Sequence, residues 1–282
     1  MNIFKDTMSE MTYEQVEKLV EQEAIVLFPV GIIEEHGPHL PLGTDIYLAY
    51  KQAHDVWEEL NSMKIPCVIA PPFYLGGVQA LTRHFPGTFA FSKETIMACI
   101  EEYLENLDRF GFKRVVVFND HGDGLHISAI VEAIKNANRK LELQAYWMEY
   151  EYELKEHGFS GEEDYILKLT DMPFEEMFQI SKMPRDAFDV HAGAFETATM
   201  REIYPEAVRE DALARLEPTF LQGEQIGKWC NGAAEDKALI PNGYVGDPKG
   251  SQYIETNLKE ADRRIARDIV NSFGKQVNDN YE

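Results

Sequence analysis

The sequence predicts an α/β fold, a single domain in which helices flank both faces of a mostly parallel central sheet. Short apolar runs rich in β-branched residues alternate along the chain with segments whose apolar residues recur at helical spacing. Strands that alternate with helices in this way build parallel sheets. The chain has 282 residues, of which 44% are hydrophobic, and this is enough apolar material for one sizeable core.

The first predicted elements are a short helix, a buried strand and a long helix. Thr12 and Gln15 match a capping box, which predicts a helix from there to about Glu21. The continuous apolar run 24–30 predicts a buried strand. Apolar residues at helical spacing then predict a helix over 46–61.

The alternation continues to the end of the chain. Ser92 suits the N-cap of a further helix, and Gly111 suits its C-terminal cap. The remaining predicted elements are strands at 67–70, 115–118 and 143–148 and helices at 126–139 and 260–277.

Two segments do not follow this alternation. Residues 150–190 are acidic and aromatic, which indicates a lid or insertion of short helices. Residues 216–258 carry glycines, prolines and few periodic patterns, which indicates long loops, and such loops are often functional or interfacial. No repeat or linker divides the chain, so residues 1–282 are expected to form one domain.

The charge and the cysteines exclude several classes of protein. With 49 acidic and 27 basic residues, the formal net charge is -22, which argues against nucleic acid and anionic membranes as partners. None of the three cysteines forms a CxxC pair, so neither a disulfide framework nor a thiolate zinc site is indicated. Since no signal-peptide core and no membrane-spanning apolar run is present, a cytoplasmic location is expected.

A loop rich in carboxylates and imidazoles, residues 34–45, follows the first predicted strand. Glu34, His36 and Asp45 are residue types that bind divalent metal ions, and glycines and prolines restrict the loop backbone. Glu34 and His36 could address two different ions, with Asp45 bridging them. A capped loop with an exposed histidine explains this segment equally well, so the loop alone leaves both interpretations open.

A second polar loop, residues 119–124, strengthens the metal interpretation. It follows another predicted strand, and the carboxyl ends of parallel strands lie at one edge of a sheet. His39 and His126 are alternative candidate ligands, but His39 is better explained as a structural hydrogen-bonding residue. Together the two loops supply five candidate ligands, about the number that two ions sharing one carboxylate need: Glu34, His36, Asp45, His121 and Asp123.

Residues 189–197 are the third candidate segment for the site. In this segment a histidine lies beside small residues. His191 could act as a general acid or base because the pKa of histidine lies near working pH. Glu196 could orient His191 or a metal ligand. From the residues alone, a helix N-terminus with buried polar groups explains this segment better. The segment 83–88, taken alone, is a plain structural turn.

Together these four segments resemble the creatininase family of creatinine amidohydrolase-like proteins. Residues 29–45 look like the long signature of that family, and 85–88 (Phe-Pro-Gly-Thr) look like its FPGT turn. Residues 119–122 (Asn-Asp-His-Gly) resemble its NGHG loop, and 191–197 resemble its HAGExET segment. The resemblance covers roughly residues 20–200.

The resemblance implies a binuclear zinc or manganese site in a single α/β domain. It also implies hydrolysis of an amide in a small, often cyclic molecule by a homo-oligomer that is commonly a hexamer. His191 falls where the family places a histidine near the reacting group. The ligands implied by position are Glu34, Asp45 and His121 for one ion and His36, Asp45 and Asp123 for the other.

The chain departs from the family pattern at several positions. Asp120 replaces the glycine of NGHG, and Ala194 stands where many members have a glutamate. Gln79 and Thr82 stand where a serine and a histidine are usual, and Gly122 stands where creatininase itself has an aromatic residue. Because the metal ligands are kept, we expect Gln79, Thr82, Asp120 and Gly122 to contact a substrate other than creatinine.

The leading hypothesis is a metal-dependent amidohydrolase for a small cyclic or formylated amide. A hydroxide bridging two divalent ions would attack the carbonyl, and His191 would protonate the leaving nitrogen. The alternative is hydrolytic ring opening of a cyclic polyol ketone or diketone of the inosose type in carbohydrate or inositol breakdown. Gln79, Thr82, Arg83 and Asp120 would then bind hydroxyls. A non-catalytic metal-binding protein, the third hypothesis, would need an incomplete set of ligands.

Overall fold

Five parallel strands form the central sheet in a computed structural model, which describes residues 1–181 and 189–277. Their order across the sheet is β2-β1-β3-β4-β5, and every neighbouring pair is parallel. The strands are β1 (Ile25–Val30), β2 (Cys67–Ile69), β3 (Arg114–Asn119), β4 (Gln144–Tyr150) and β5 (Ile166–Leu169). The predicted parallel α/β fold is therefore confirmed.

Helices cover both faces of this sheet, and none within the described ranges combines the length and apolar composition that crossing a membrane requires. The helices are α1 (Tyr13–Glu21), α2 (Thr44–Ser62), α3 (Lys93–Phe110), α4 (Gly124–Lys140), α5 (Glu151–Glu156), α6 (Phe174–Met177), α7 (Ala194–Ile203), α8 (Glu210–Leu213), α9 (Glu224–Asn231) and α10 (Leu258–Val277).

The two faces of the sheet bury different helices because successive side chains of a strand point to opposite sides. Val26 and Phe28 of β1 lie in a core cluster with apolar residues of α3 and α4. Ile25 and Leu27 lie in a second cluster with residues of α2 and α10. These continuous apolar strands are therefore buried on both faces, as expected for a parallel sheet.

The helix ends agree with the predicted capping residues. Thr12 and Gln15 form a capping box at α1, and the Ser92 hydroxyl accepts a hydrogen bond from a backbone N–H of α3. Gly111 ends α3 in the left-handed region, with φ of 108°. Helix α2 begins two residues earlier than its periodicity indicates, which places Asp45 in its first turn.

The segment 150–190 is more than the lid or insertion expected from its composition. Residues 166–169 pair with β4 and supply the fifth strand of the main sheet, with Ile166 opposite Trp147. This strand is four residues long, and Lys168 is exposed on it, so its apolar pattern is weak. The short helices α5 and α6 agree with the expectation, and the part of the segment at 182–188 lies outside the described residues.

The segment 216–258 was expected to form long loops, and the structure corrects this. It contains helix α9, 3-10 helices at Ala234–Leu239 and Pro248–Tyr253, and strand β7 (Ile254–Thr256). Strand β7 pairs antiparallel with β6 (Phe178–Ile180) in a second, two-stranded sheet. Elements this short do not reach the length at which a helical or strand period becomes visible in a sequence.

Candidate active site

The two polar loops meet at the carboxyl edge of the sheet. Val30, the last residue of β1, lies opposite Asn119, the last residue of β3. The loop 34–45 and the loop 119–124 therefore leave the sheet side by side, as the parallel topology predicts.

Six side chains from these loops and from the start of α7 form two groups. In each group one possible ligand atom of each residue lies within 4.8 Å of the others. Such spacing suits ligands around one ion. The groups are Glu34, Asp45 and His121, and His36, His191 and Glu196.

Asp45 faces both groups. Its Oδ1 lies 2.9 Å from Nε2 of His36, and its Oδ2 lies 3.2 Å from Nδ1 of His121. The side chain is almost completely buried in the first turn of α2, so a folded helix holds it in place. One carboxylate thus presents one oxygen to each group, which is the arrangement that a bridging ligand requires.

Three histidines are oriented by hydrogen bonds to backbone carbonyls. His36 Nδ1 donates to the carbonyl of Glu34 (3.0 Å), and His121 Nε2 donates to that of Gly77 (3.1 Å). His191 Nε2 donates to the carbonyl of Glu35 (2.8 Å). Because a carbonyl only accepts, these nitrogens carry the hydrogen, and in a neutral ring the other nitrogen keeps its lone pair for a metal ion or a proton.

The atoms that face each other inside the site fit a cation between them. His121 Nδ1 lies 3.3 Å from Oε2 of Glu34 and 3.2 Å from Oδ2 of Asp45. Both carboxylate oxygens are buried, and neither has a hydrogen-bond partner among the described residues. A lone pair and carboxylate oxygens at such distances repel one another unless a positive charge lies between them, so this donor set suits a divalent ion.

The pKa values of the site residues also indicate that the site favours a positive charge. Burial opposes ionisation of Asp45, but His36 and His121 outweigh it and hold the pKa of Asp45 well below its usual range. Burial also opposes protonation of His121, yet Glu34 and Asp45 raise its pKa to about 9. The inner histidine nitrogens therefore face a field that favours either a proton or a metal ion.

At His191 and Glu196, burial outweighs the opposing charges and disfavours the charged form of each group. Burial, with His36 adding to it, lowers the pKa of His191 to about 3, and burial raises the pKa of Glu196 to about 7. The neutral form of His191 is thus favoured, with Nε2–H directed at the Glu35 carbonyl, and its pKa lies below the near-neutral value from which its acid–base role was predicted. Its ring lies 4.4 Å from that of His36 and 5.7 Å from that of Trp229, between centroids.

Asp123 lies in neither group, although it was predicted as a ligand of the second ion. Its Oδ2 accepts hydrogen bonds from the backbone N–H groups of Gln79 (2.9 Å) and Ala80 (3.1 Å). Its Oδ1 accepts from Leu125 (2.9 Å), since Asp123 is the N-cap of α4. With its oxygens engaged in this way, Asp123 holds two loops together, while Oε2 of Glu196 lies 3.9 Å from Nε2 of His36.

A tight turn brings His191 and Glu196 together. Ala192, between His191 and helix α7, has φ of 49°, a conformation that costs energy for a residue other than glycine. Its N–H donates to Oε2 of Glu196, and Asp189 Oδ2 accepts from the N–H of Ala194 (2.7 Å). This segment is a helix N-terminus with buried polar groups, and it also places both side chains in the site.

The two alternate histidines have structural surroundings. His39 Nε2 lies 2.9 Å from the Thr197 hydroxyl, which ties the first loop to α7, in agreement with the structural role expected for it. His126 is buried, accepting from the N–H of Gly77 (3.3 Å) and donating to Oδ1 of Asn119 (3.0 Å). Both rings support the backbone around the metal-binding groups and lie outside them.

A cavity of about 360 Å³ opens from the site between α2, α5, α7 and α10. Asp120 and Gly122 line it, as their assignment to substrate binding requires, and a Cβ added at Gly122 would meet nothing within 4 Å. Gln79 and Thr82 are outside its lining. Thr82 is completely buried beside Glu34, so the structure does not bring these two residues to the cavity.

A family comparison agrees with this geometry. The family described as creatininase, creatinine amidohydrolase, matches residues 9–256. The chain belongs to the creatininase family. It is therefore a metal-dependent hydrolase, and the two groups around Asp45 are its candidate metal ligands.

Several known relatives of this creatininase-family protein differ in what they act on. A 3-dehydro-scyllo-inosose hydrolase of Thermotoga maritima is 22% identical, over 93% of this chain and 83% of the relative. A mycofactocin precursor peptide peptidase of Mycolicibacterium smegmatis is 28% identical, over 97% and 91%. A solved structure named "Creatininase Mn" shares the fold, with a TM-score of 0.67 and 21% identity over 96% of this chain and 98% of the other.

Three acidic residues near the creatininase-family site were not predicted from the sequence. Glu35 is buried between two predicted ligands, and its Oε1 has no hydrogen-bond partner in the described part of the chain. Glu149, at the carboxyl end of β4, and Asp262 line the cavity. Asp262 carried a detectable signal, because it lies four residues after Leu258 and three before Ile265 and thus on the apolar face of α10.

Proposed function

We propose that this protein is a two-metal hydrolase that cleaves the amide bond of a small cyclic or formylated molecule. The observation that carries the proposal is the position of Asp45, whose two oxygens face the two groups of ligands. When bound, divalent ions such as zinc or manganese polarise a carbonyl and lower the pKa of bound water. The proposed ligands are Glu34, Asp45 and His121 for one ion and His36, Asp45 and Glu196 for the other.

His191 is the proposed proton carrier. Its Nε2–H is held by the Glu35 carbonyl, so Nδ1 is free to take the proton that water releases on attacking the amide carbon. As the C–O bond forms and the C–N bond breaks, the same nitrogen returns that proton to the leaving nitrogen. An N-formyl amine gives formic acid and an amine, whereas a cyclic amide opens to one molecule that carries both a carboxylic acid and an amine. In both cases the histidine ends in its starting form.

Hydrolytic ring opening of a cyclic polyol ketone or diketone is a second candidate, supported by two observations. The relative that aligns over 93% of this chain is named for an inosose derivative. In addition, Asp120 lines the cavity with a buried Oδ2 that has no hydrogen-bond partner within the described ranges, and a substrate hydroxyl could donate to it. The same ligands would serve this reaction, and only the substrate contacts would differ.

A substrate panel on the metal-loaded protein separates the candidates. Lactams and N-formyl amines are compared with a cyclic inosose. Formation of an amine measures amide hydrolysis, and loss of the ketone carbonyl measures ring opening. We expect amine release from an amide and loss of activity after chelation, restored by zinc or manganese. Opening of the inosose without amine release would replace the first candidate by the second. Full activity of chelated, metal-free protein would contradict both.

The metal content and the assembly are tested separately. Elemental analysis after gentle purification is expected to give about two ions per chain, the number that the two ligand groups predict. The homo-oligomer implied by the family resemblance stays a prediction, and light scattering of the purified protein measures it. A cytoplasmic location likewise stays a prediction.

A further inference from the structure

One wall of the cavity is formed by carboxyl groups. Asp120 precedes the proposed ligand His121 in the chain, and Glu149, Glu153 and Asp262 line the same cavity. The lysine in this lining is Lys51, and its ammonium pairs with Asp55. Within the described ranges, none of these four carboxyl groups forms an ion pair with Lys51 or with the histidines of the lining, His121 and His157.

Two of these groups are buried without partners. Asp262 is 5% exposed, and no hydrogen bond or ion pair joins it to any residue in the described part of the chain. Asp120 Oδ2 is buried and likewise has no hydrogen-bond partner there. Glu149 accepts one hydrogen bond, from the N–H of Tyr150 at 2.9 Å. Buried carboxyl groups normally have partners, and the absence of partners at these two indicates that a ligand group could bind there.

The pKa values of these carboxyl groups reflect the energetic cost of burying them together. Burial raises the pKa of Asp262 to about 8 and raises the pKa of Glu149 well above its ordinary value. Neighbouring acids add to both shifts: Asp55 and Asp120 act on Asp262, and Glu153 and Asp120 act on Glu149. A cationic group in the cavity would stabilise the ionised forms of these carboxyl groups, and a neutral polyol would not.

Aromatic side chains line the same cavity. Phe174 and Phe195 line it with ring centroids 4.7 Å apart, and Phe178 lies 5.1 Å from Phe195. Aromatic faces beside carboxylates are a favourable setting for ammonium and guanidinium groups, because the ring quadrupole attracts cations. A metal ion is a poor occupant here, since the wall residues are outside the groups with metal-ligand spacing found within the described ranges.

We propose that the substrate carries an alkylammonium or guanidinium group, which Asp120, Glu149 and Asp262 bind while its scissile bond lies at the metal-binding groups. This inference rests on the proposed function and narrows its substrate class. Substrates of this class are amides attached to a basic amine or guanidine, of a size that a cavity of about 360 Å³ admits.

A matched pair of ligands tests the proposal on the metal-loaded protein. Butylguanidinium and N-butylurea have nearly the same shape and differ in charge, and calorimetry measures the affinity of each. We expect butylguanidinium to bind at least about tenfold more tightly, with an affinity that falls as salt is added. Asp262→Asn and, independently, Glu149→Gln should each reduce this preference about fivefold or more, with the metal content unchanged. Glu206→Gln, an exposed acid away from the cavity, is the control and should keep the preference.

The outcomes separate this inference from the proposed function. Equal affinity for the two ligands, or binding of neither, overturns the cationic substrate class. So does tighter binding of scyllo-inositol than of butylguanidinium. These results leave the hydrolase proposal standing if the protein holds its metal ions. Protein without bound metal that still prefers butylguanidinium would instead contradict the two-metal proposal and keep the cation site.

Discussion

Asp45 carries more of the proposed chemistry than any other single residue. Its two oxygens face His36 and His121 at 2.9 and 3.2 Å, and helix α2 fixes its position. Removing it would leave each ion with one ligand fewer and would leave two histidines without their shared carboxylate. His191 has a different role in the proposal, since it carries a proton.

Substitution of these two residues should therefore give different results. We expect Asp45→Ala to lose both ions because it removes the shared ligand. We expect His191→Ala to keep them and to lose turnover by about a hundredfold or more, the usual worth of a proton carrier. Elemental analysis and steady-state kinetics measure the two effects. Full metal content in Asp45→Ala would show that the bridging assignment is mistaken.

Asp123 and Glu196 provide a second contrast at the residue scale. Asp123→Ala removes a helix N-cap and two further backbone contacts, so we expect a loss of about 2 kcal/mol in the free energy of unfolding, with metal content unchanged. Glu196→Gln should lose one of the two ions and leave stability in the metal-free state nearly unchanged. Urea unfolding and elemental analysis of both variants check this. Loss of metal from Asp123→Ala alone would restore Asp123 as a ligand.

At the scale of the elements, glycines show where local conformation limits the sequence. Gly111 ends α3 with φ of 108°, and a Cβ there would lie 2.7 Å from Cγ1 of Val20 in α1. Gly227 lies inside α9, where an added Cβ would meet nothing within 4 Å. The two positions therefore differ in both backbone conformation and space.

The same substitution should consequently have opposite effects at the two positions. Gly111→Ala is expected to lower the free energy of unfolding by about 1 kcal/mol or more, because both the backbone and the α1–α3 contact must adjust. Gly227→Ala is expected to raise it by about 0.5–1 kcal/mol, because alanine favours the helix interior. Denaturant titration measures both. A neutral Gly111→Ala would mean that the left-handed cap contributes little.

The elements also determine how the site is assembled. Strands β1 and β3 end side by side, which brings the two ligand loops together, and α7 adds a third segment that follows both loops in the chain. Backbone carbonyls of Glu34, Glu35 and Gly77 then orient the histidines. The site therefore depends on loops that the sheet supports, and changes in those loops should affect metal binding before they affect the sheet.

At the scale of the whole molecule, excess negative charge reaches the cavity as well as the surface. Burial raises the pKa of Asp262 to about 8, with Asp55, Asp120 and Glu202 adding to the rise and Lys51 opposing it. In the unfolded chain the pKa of an aspartate is about 4. Between these values the folded protein holds a proton that the unfolded chain releases, so stability falls as pH rises from about 4 to about 8.

Asp262→Asn should remove this pH-dependent loss of stability. We expect the variant to exceed the wild type in the free energy of unfolding by at least about 1 kcal/mol near pH 8, with a difference that shrinks towards pH 4. Urea titrations at several pH values, with equal metal content, measure this. Glu206→Gln is the control and should follow the wild type. A constant difference at all pH values would mean that the carboxyl group of Asp262 does not titrate over this range.

The sequence alone determined the parallel α/β class, most helices and strands, and two metal-ligand loops at one sheet edge. These features depend on local patterns: apolar periodicity, capping residues, and the chemistry of Glu, His and Asp after a strand. The short strand β5 and the elements within 216–258 were not predicted, because each is too short to repeat a period. Glu34, His36, Asp45 and His121 come together as their spacing in two successive loops led us to expect.

Only the tertiary structure decided which carboxylates are free for a ligand. Asp123 has the chemistry of a metal ligand, yet backbone N–H groups more than 40 residues away occupy its Oδ2. Glu196 and Asp262 are brought to the site and the cavity by helices distant in sequence. The physical reason is that a carboxylate binds the nearest donors or cations, and which of these are near depends on how the chain packs.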